Sequence, residues 1–396
     1  MTVTQQQLGE RIRIARERFH LTPRELGEFV DLSTQDIEAI ERGERSMPSS
    51  TLSRIAHATG RQALEFHAVD FVDSGALSAL FRANPQVADR RQLSIALQRG
   101  IAFALQFSSL EAMLGIDRDR VLPPAIDLPD PTSCDDATEQ GERIAAQERQ
   151  RLTLDELCFD RMQHLLETQG VGSVAVPLPE GVSGLMLHES RIGAFVLFNE
   201  ALNTARQRFA LAHEYAHVLM DRHRLGSLSR IDQREDLIEL RADAFAAEFL
   251  MPREDVVGIL FRHRERKVAE AAAGDAGGRW PRVQMLDIAA VAQSFRISRR
   301  SALRRVRHLK LVRDDDHASL VEQERNGEGA KYSTLLGLFN PPEPDSRSAS
   351  LGRLLGLGCE ALRRDEISIR KLFEIGRKFG IPRETVAAVV HALALE

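Results

Sequence analysis

The stretch that most constrains the fold is the run Phe209-Ala210-Leu211-Ala212-His213-Glu214-Tyr215-Ala216-His217-Val218-Leu219-Met220. Its apolar spacing predicts a buried helix. A step of four residues along a helix places His213 and His217 on one face, at the separation that a zinc ion needs, with Glu214 beside them. The HExxH pattern therefore predicts a zinc site with an acid next to it.

Two imidazoles do not complete a catalytic zinc site, because three protein ligands and an open position are the rule. His223 has the spacing of a third histidine, but that arrangement needs a chain reversal where Met220 stands. Glu239 lies in a second helical stretch, Asp236–Leu250, with Asp243 four residues later on the same face. This ExxxD arrangement resembles that of gluzincin-type sites, which implies that Glu239 is the third ligand and that Asp243 accepts the far N–H of a ligand histidine. The alternative is a solvated acidic face.

The segments Arg206–His217 and Glu239–Pro252 resemble the ImmA/IrrE metallopeptidase family, which has the pattern RxxFxxAHExxH followed by ExxAxxFAAxxLMP. The resemblance covers roughly residues 140–310 and departs at Tyr215-Ala216, where many members have Leu or Ile followed by Gly. It implies an endopeptidase that cleaves a transcriptional repressor, often of the Xre type, and thereby releases stress or mobile-element genes.

The chemistry would be metal-assisted amide hydrolysis. The ion would polarise the scissile carbonyl, while Glu214 takes a proton from water and passes it toward the leaving amine. Zinc is the expected metal, although the same ligands also accept manganese or another divalent ion.

Three short apolar runs before the motif, at residues 171–176, 185–188 and 194–198, predict strands. The run 194–198 leads directly into the ligand helix. Such a strand beside the zinc could accept a substrate chain by edge pairing, which makes a peptide the natural substrate class. Simple sheet structure is the equal alternative.

Residues 8–60 predict a set of short helices, with Thr22 as a cap before Pro23 and Ser33 or Thr34 as the next cap. The motifs RIRxAR, xTxxELG and IxxIExGxR resemble those of the Xre/Cro helix-turn-helix family. The resemblance implies that a recognition helix, Thr34 to Arg42, enters the major groove of double-stranded DNA. By the same resemblance, three residues would contact base edges, namely Thr34, Gln35 and Glu38. Three others would contact phosphates, namely Arg24, Arg42 and Arg45.

The charge of this N-terminal region leaves a second interpretation open. Residues 8–60 carry nearly balanced acids and bases, whereas DNA-binding modules usually show a basic face. A helical protein-interaction module with the same fold is the alternative. Because Xre-type modules normally act in pairs, a homodimer is also expected, with residues 63–120 as the dimerisation or spacer element.

Together these patterns predict an α+β, mostly helical chain. The C-terminal unit is assigned only a regulatory or interaction role, and the arginines clustered within residues 286–312 are interpreted as a solvated face rather than a nucleic-acid site. The expected units are an all-α helix-turn-helix domain (1–62), a helical spacer (63–120), a linker (121–136), a zincin-like metallopeptidase domain with a small sheet (137–313), a second linker (314–350) and a helical unit (351–396).

Composition fits this organisation. The chain has 396 residues, 43% of them hydrophobic, and a net charge of -5, so any contact with nucleic acid must be local. Its three cysteines, Cys134, Cys158 and Cys359, are dispersed, as expected in a reducing cytosol. Residues 1–9 are polar, and we expect a cytoplasmic protein without a membrane partner.

The sequence therefore predicts a zinc-dependent, site-specific endopeptidase joined to a DNA-binding module. The alternative is an Xre-family transcriptional regulator whose zincin-like domain is a sensor without proteolytic activity.

Overall fold

The computed structural model describes residues 3–18, 21–59, 63–67, 90–154, 162–189, 192–223, 227–230, 236–260, 282–335 and 346–393. Cys158 and residues 68–89 of the predicted spacer lie outside the described residues. Helices dominate the described chain, and they surround one small sheet. The predicted fold class, α+β and mostly helical with an all-α N-terminal domain, is confirmed.

Sixteen helices are labelled here in chain order, and residues 253–260 are helical as well. The labelled helices are α1 (Gln5–Arg18), α2 (Pro23–Val30), α3 (Thr34–Glu41), α4 (Ser49–Ala58), α5 (Arg90–Met113), α6 (Cys134–Arg151), α7 (Met162–Thr168), α8 (Thr204–Met220), α9 (Leu237–Leu250), α10 (Met285–Ser294), α11 (Arg299–His308), α12 (Asp314–Arg325), α13 (Glu328–Leu335), α14 (Ser346–Arg363), α15 (Ile369–Phe379) and α16 (Arg383–Leu393).

The N-terminal helices form a helix-turn-helix unit around a small core. Thr22 and Ser33 each cap the following helix in a reciprocal capping box, so the predicted helix starts are correct. Between α2 and α3, Asp31 adopts a left-handed conformation with φ 57°. A buried ion pair between Arg16 and Glu41 ties α1 to α3, with Arg16 Nε 2.6 Å from Glu41 Oε1.

Within the described residues, the sheet has four strands in the order β1-β3-β2-β4. Strands β1 (Gly172–Val176), β2 (Val182–Glu189) and β3 (Gly193–Asn199) lie where three strands were predicted, and β4 (Ser227–Arg230) is a fourth that the sequence did not indicate. Strand β3 is parallel to β1 and antiparallel to β2, so it is paired on both sides. The prediction that a peptide could pair with residues 194–198 is therefore wrong, because that strand is not an edge.

The two faces of the sheet pack against different helices. One face, called here the front, lies against α8 and, through it, α6 and α9, with Val196 and Phe198 in this core. The other face, called the back, lies against α5 and α14. The back core is continuous with the core of α1–α4 and with that of α14–α16, so the N-terminal and C-terminal helices share one apolar interior.

Phenylalanines connect the back of the sheet to the C-terminal helices. The ring of Phe103 on α5 lies 6.3 Å from that of Phe195 on β3 and 5.5 Å from that of Phe379 on α15. Gly100 permits this packing, because a Cβ there would lie 2.5 Å from Leu197 Cδ1. Helix α15 is thus linked to the sheet through α5, while α14 contacts the sheet directly.

Two segments differ from the sequence prediction. The sequence pattern from Glu142 to Glu167 predicts one long amphipathic helix, but α6 ends at Arg151 and Thr153 takes a left-handed φ of 49°. Residues 314–335, part of the stretch predicted as a linker, form α12 and α13, which pack in a third core with α10 and α11. Of the helices described, none combines the length and apolar character that a membrane span requires.

Candidate metal centre

Helix α8 carries the HExxH residues into the interior. Asn203 caps its first turn by accepting a hydrogen bond from the Arg206 backbone N–H at 3.0 Å. His213, Glu214 and His217 are all buried, the last two completely. Buried polar groups need partners, so their surroundings define what the site can bind.

Helix α9 brings Glu239 to the same place. Asp236 caps this helix, and Phe245 and Phe249 anchor it in the front core. Helices α6 and α9 cross at Gly141, where a Cβ would overlap the carbonyl oxygen of Arg241 and lie 2.8 Å from the Phe245 nitrogen. Glycine at this crossing therefore allows α9 to approach closely and fixes the position of Glu239.

The three side chains predicted as ligands meet in one buried group. His213 Nε2 lies 3.1 Å from Glu239 Oε2 and 3.2 Å from His217 Nε2, and His217 Nε2 lies 3.3 Å from Glu239 Oε1. Two imidazole nitrogens and a carboxylate this close repel one another unless protons or a cation lie between them. Nitrogen and oxygen donors of this kind suit zinc, so the group fits a divalent metal ion.

The competing third ligand, His223, does not belong to this group. It lies after the end of α8 and is exposed. Among the described residues, the group that could hold an ion consists of His213, His217 and Glu239.

Each histidine of the group is held at its other ring nitrogen by an aspartate. His213 Nδ1 lies 2.9 Å from Asp243 Oδ1, the contact that the sequence predicted. His217 Nδ1 lies 3.1 Å from Asp221 Oδ2, which the sequence analysis missed. Asp221 lies four residues after His217 on the same helical face, so this spacing was the available signal.

The Asp221 contact continues into a buried polar chain. Arg241 donates from Nη2 to Asp221 Oδ1 at 2.7 Å and from Nη1 to Gln140 Oε1 at 3.0 Å. Arg241 and Asp221 are both 1% exposed, so neither charge is stabilised by water. This chain links His217 to α9 and α6 and fixes the orientation of its ring.

The charges of the group are strongly coupled. Burial by itself would lower the pKa of His217, but hydrogen bonds with Asp221 and Glu239 raise it to about 9. Burial opposes ionisation of Glu239, yet the two histidines hold its pKa well below its usual range. The site therefore favours a carboxylate next to positive charge, whether that charge is a proton or a metal ion.

Strand β2 passes directly beside Glu214. A Cβ at Gly184 would lie 2.9 Å from Glu214 Oε1, so only glycine leaves room for this carboxyl group. The pairing of β2 with β4 shifts register between Val182 and Gly184. An irregularity of this kind re-aims a strand locally and is frequent next to active sites.

The residues predicted to contact DNA lie on the outside of α2 and α3. Gln35, Glu38 and the three arginines are exposed, and Thr34 is half-buried. The arginines all face acids of the same module: Arg24 pairs with Glu28 (3.1 Å), Arg42 with Glu44 (2.9 Å) and Arg45 with Asp36. Their charge is thus partly neutralised within the domain.

Comparison with protein families agrees with both resemblances. Residues 178–307 match the family described as the IrrE N-terminal-like domain, a peptidase family, and residues 7–68 match a helix-turn-helix domain. A search of curated proteins found no match. The chain thus carries an IrrE-like peptidase-family domain that contains the buried His-His-Glu group, and an N-terminal helix-turn-helix domain, a fold that implies DNA binding.

Proposed function

We propose that this protein is a metal-dependent endopeptidase, with zinc as the expected ion and a transcriptional repressor as substrate. The observation that carries the proposal is the buried group of His213, His217 and Glu239, with Glu214 adjacent on α8. Three protein ligands with an acid alongside are typical of hydrolytic zinc sites, whereas structural zinc sites use four protein ligands.

The residues of the chain would divide the work of amide hydrolysis. When bound, the ion polarises the substrate carbonyl and makes water a stronger nucleophile at neutral pH. Glu214 accepts the proton from the attacking water and donates it to the leaving amine. Asp243 and Asp221 hold the rings of His213 and His217 so that both Nε2 atoms face the ion.

The N-terminal domain would direct this activity to repressors on DNA. By the resemblance, Thr34, Gln35 and Glu38 face base edges, and Arg24, Arg42 and Arg45 face phosphates. A module of this type could also pair with the helix-turn-helix of a repressor or with a second copy of the chain. Either pairing would place a substrate segment near the metal centre.

The test compares the zinc-loaded full chain with its Glu214→Gln variant. Both should bind about one zinc per chain, measured by mass spectrometry of the native protein. In an extract of the source cells, the native chain should create new protein N-termini, and Glu214→Gln should lower their rate of formation by roughly 100-fold or more. Glu254→Gln, an exposed site after α9, is the matched control and should remain active. Absence of new termini with zinc-loaded native protein would overturn the proposal.

A transcriptional regulator with a non-proteolytic sensor domain is the second candidate. It is favoured by the continuous core that joins α1–α4 to the back of the sheet, since metal binding on the front could then affect the DNA-binding helices. Under this alternative, zinc would change the affinity for operator DNA in the native chain and in Glu214→Gln equally, and no cleavage would occur.

A further inference from the structure

The turn between α2 and α3 shows how this protein builds a helix-turn-helix. At Gly27, helix α2 lies in close contact with the turn before α3, and a Cβ there would lie 2.5 Å from the Leu32 carbonyl oxygen. Four residues later Asp31 is left-handed, and ten residues after Gly27 the side chain of Ile37 is completely buried. A small residue, a left-handed residue and a buried aliphatic residue therefore define the motif.

Helices α15 and α16 repeat these three features at the same spacing. A Cβ at Gly376 would lie 2.7 Å from Val386 Cγ2. Gly380, four residues later, has φ 75° and ends α15, and Val386, ten residues after Gly376, is 1% exposed. Helix α14 packs against both helices and completes a three-helix unit.

The two helix-turn-helix units differ in net charge. From Pro23 to Arg45 the chain has three arginines and seven acids, a net charge of -4. From Ile369 to Leu393 it has five basic residues and two acids, a net charge of +3 with histidine neutral. The second unit therefore attracts polyanions more strongly than the first one.

The basic side chains of the second unit are accessible. Arg370 and Arg377 are seven residues apart on one face of α15, and both are exposed. Arg383, at the start of α16, is exposed and lies over the ring of Phe373, 5.7 Å from its centroid. The outer face of α16 also exposes Glu384 and the small residue Ala387. The small side chain would allow this face of the helix to lie close to the floor of a groove.

We propose that α15 and α16 form a second helix-turn-helix that binds double-stranded DNA. Helix α16 would enter the major groove, and Arg370 and Arg377 would contact phosphates. By their position in the motif, Arg383 and Glu384 correspond to Thr34 and Gln35 and would face base edges. An arginine at this position suits the O6 and N7 acceptors of guanine.

A third helix pair, α10 and α11, has the same spacing, with Ala292, left-handed Arg296 and buried Ala302. Of the arginines of α11, Arg305 is buried in the peptidase domain, Arg299 is half-buried and Arg307 is exposed. They pair with acids of neighbouring helices: Arg299 with Glu324 (2.8 Å), Arg305 with Glu248, and Arg307 with Asp314 (3.1 Å). We therefore do not propose this pair as the DNA-binding site, and variants of α11 are compared with variants of α15 in the test below.

The test measures binding of the full chain to a labelled duplex of about 30 base pairs by fluorescence anisotropy over a salt series. Loss of two phosphate contacts in R370Q/R377Q should reduce the slope of log K against log salt by about 2 and weaken binding at least tenfold at roughly 0.1 M salt. The matched control is R120Q/R325Q, which removes the same charge at two exposed positions elsewhere. It should leave the slope unchanged.

Other outcomes would overturn the proposal. R370Q/R377Q could bind DNA like the control while thermal unfolding shows both variants folded. Alternatively, the affinity could be lost in R300Q/R304Q of α11, or in R24Q/R45Q of the first motif, and kept in R370Q/R377Q. A protein ligand of α15 and α16 would appear as unchanged DNA binding together with lost co-purification of that protein. For base reading, Arg383→Ala should reduce discrimination at one base pair in a selection from random duplexes.

Discussion

The front and the back of the sheet bury different kinds of side chain. On the front, polar groups of His213, His217 and Glu239 converge within 3.3 Å, and each imidazole has an aspartate behind it. On the back, aromatic rings and aliphatic side chains join three separate regions of the chain into one core. One small sheet thus supports the candidate chemistry on one side and the attachment of the helical units on the other.

The back also contains charge, but in a different role. Arg118 pairs with Glu111 at 2.7 Å and lies over the rings of Phe107 and Phe195, at 5.6 and 5.7 Å. Burial raises the pKa of Glu111 to about 7, although Arg118 opposes this shift. These charges connect helices to strands, whereas those on the front surround a space for an ion.

The largest expected effect is loss of the metal in Glu239→Ala. Two imidazoles alone cannot hold the ion, so zinc affinity should fall by much more than the roughly 10–100-fold that a lost outer partner costs. Titration calorimetry with zinc measures it. Glu254→Ala, on the surface, is the control and should bind like the native chain. Near-native affinity in Glu239→Ala would mean that another donor completes the group.

The next effect concerns the back of the sheet. Phe195→Ala should lower the free energy of unfolding by about 3–5 kcal/mol, because Phe195 is completely buried and contacts two rings of α5. Urea unfolding measures the loss, and Phe195→Leu should retain most of the stability. The folded variant should still bind zinc. Loss of zinc binding from folded Phe195→Ala would contradict the view that the back of the sheet stabilises the fold while the front alone holds the metal group.

Within the front, the two aspartates should differ. Asp221→Asn should weaken zinc binding by about 10–100-fold and also destabilise the chain, because it leaves Arg241 buried without its carboxylate. Asp243→Asn should have a smaller effect, since the side chain of Asp243 is 52% exposed and water can replace it. Competition with a chromophoric chelator measures both affinities. Equal effects would show that the Arg241 chain adds nothing to ring orientation.

The smallest effect is a pH dependence of opposite sign for folding and for metal binding. The pKa of His217 is raised from 6.5 to about 9 in the fold, so its contribution to stability is complete below about 6.5 and is lost as the pH rises through 9. Zinc needs the neutral imidazole, so its apparent affinity should increase over the same interval. Urea unfolding of protein prepared without metal, and chelator competition, measure the two trends. His217→Asn should reduce the folding trend, with the contribution of His213 remaining because its pKa is raised as well, and should weaken zinc binding at every pH.

Local patterns predicted much of the site. The four-residue spacing in α8 and in α9 fixed which side chains share a face, and the Asp243 contact with His213 followed from it. Asp221 was missed because it lies outside the HExxH pattern, although its spacing from His217 is the same. Arg241 looked like an ordinary polar residue of α9, since only the packing of α6 shows that it is buried.

The parts of the fold that depend on distant contacts could not be predicted. Strand β4 is short and contains a single apolar residue, Leu228, so it gave no strand signal. Helix α12 begins with three acidic residues, which resembled a solvated linker although they favour a helix start. The docking of α15 depends on the contact between Phe103 and Phe379, which are 276 residues apart in the sequence, and no local pattern predicts such a contact.

Gly141 has no functional group, yet it governs how the candidate ligands come together. Because the backbones of α6 and α9 are in contact at this residue, the absence of a side chain determines the distance between the two helices. Any added carbon would push the Glu239 carboxylate away from the imidazoles. The geometry of the metal centre thus depends on a single hydrogen atom at a remote helix crossing.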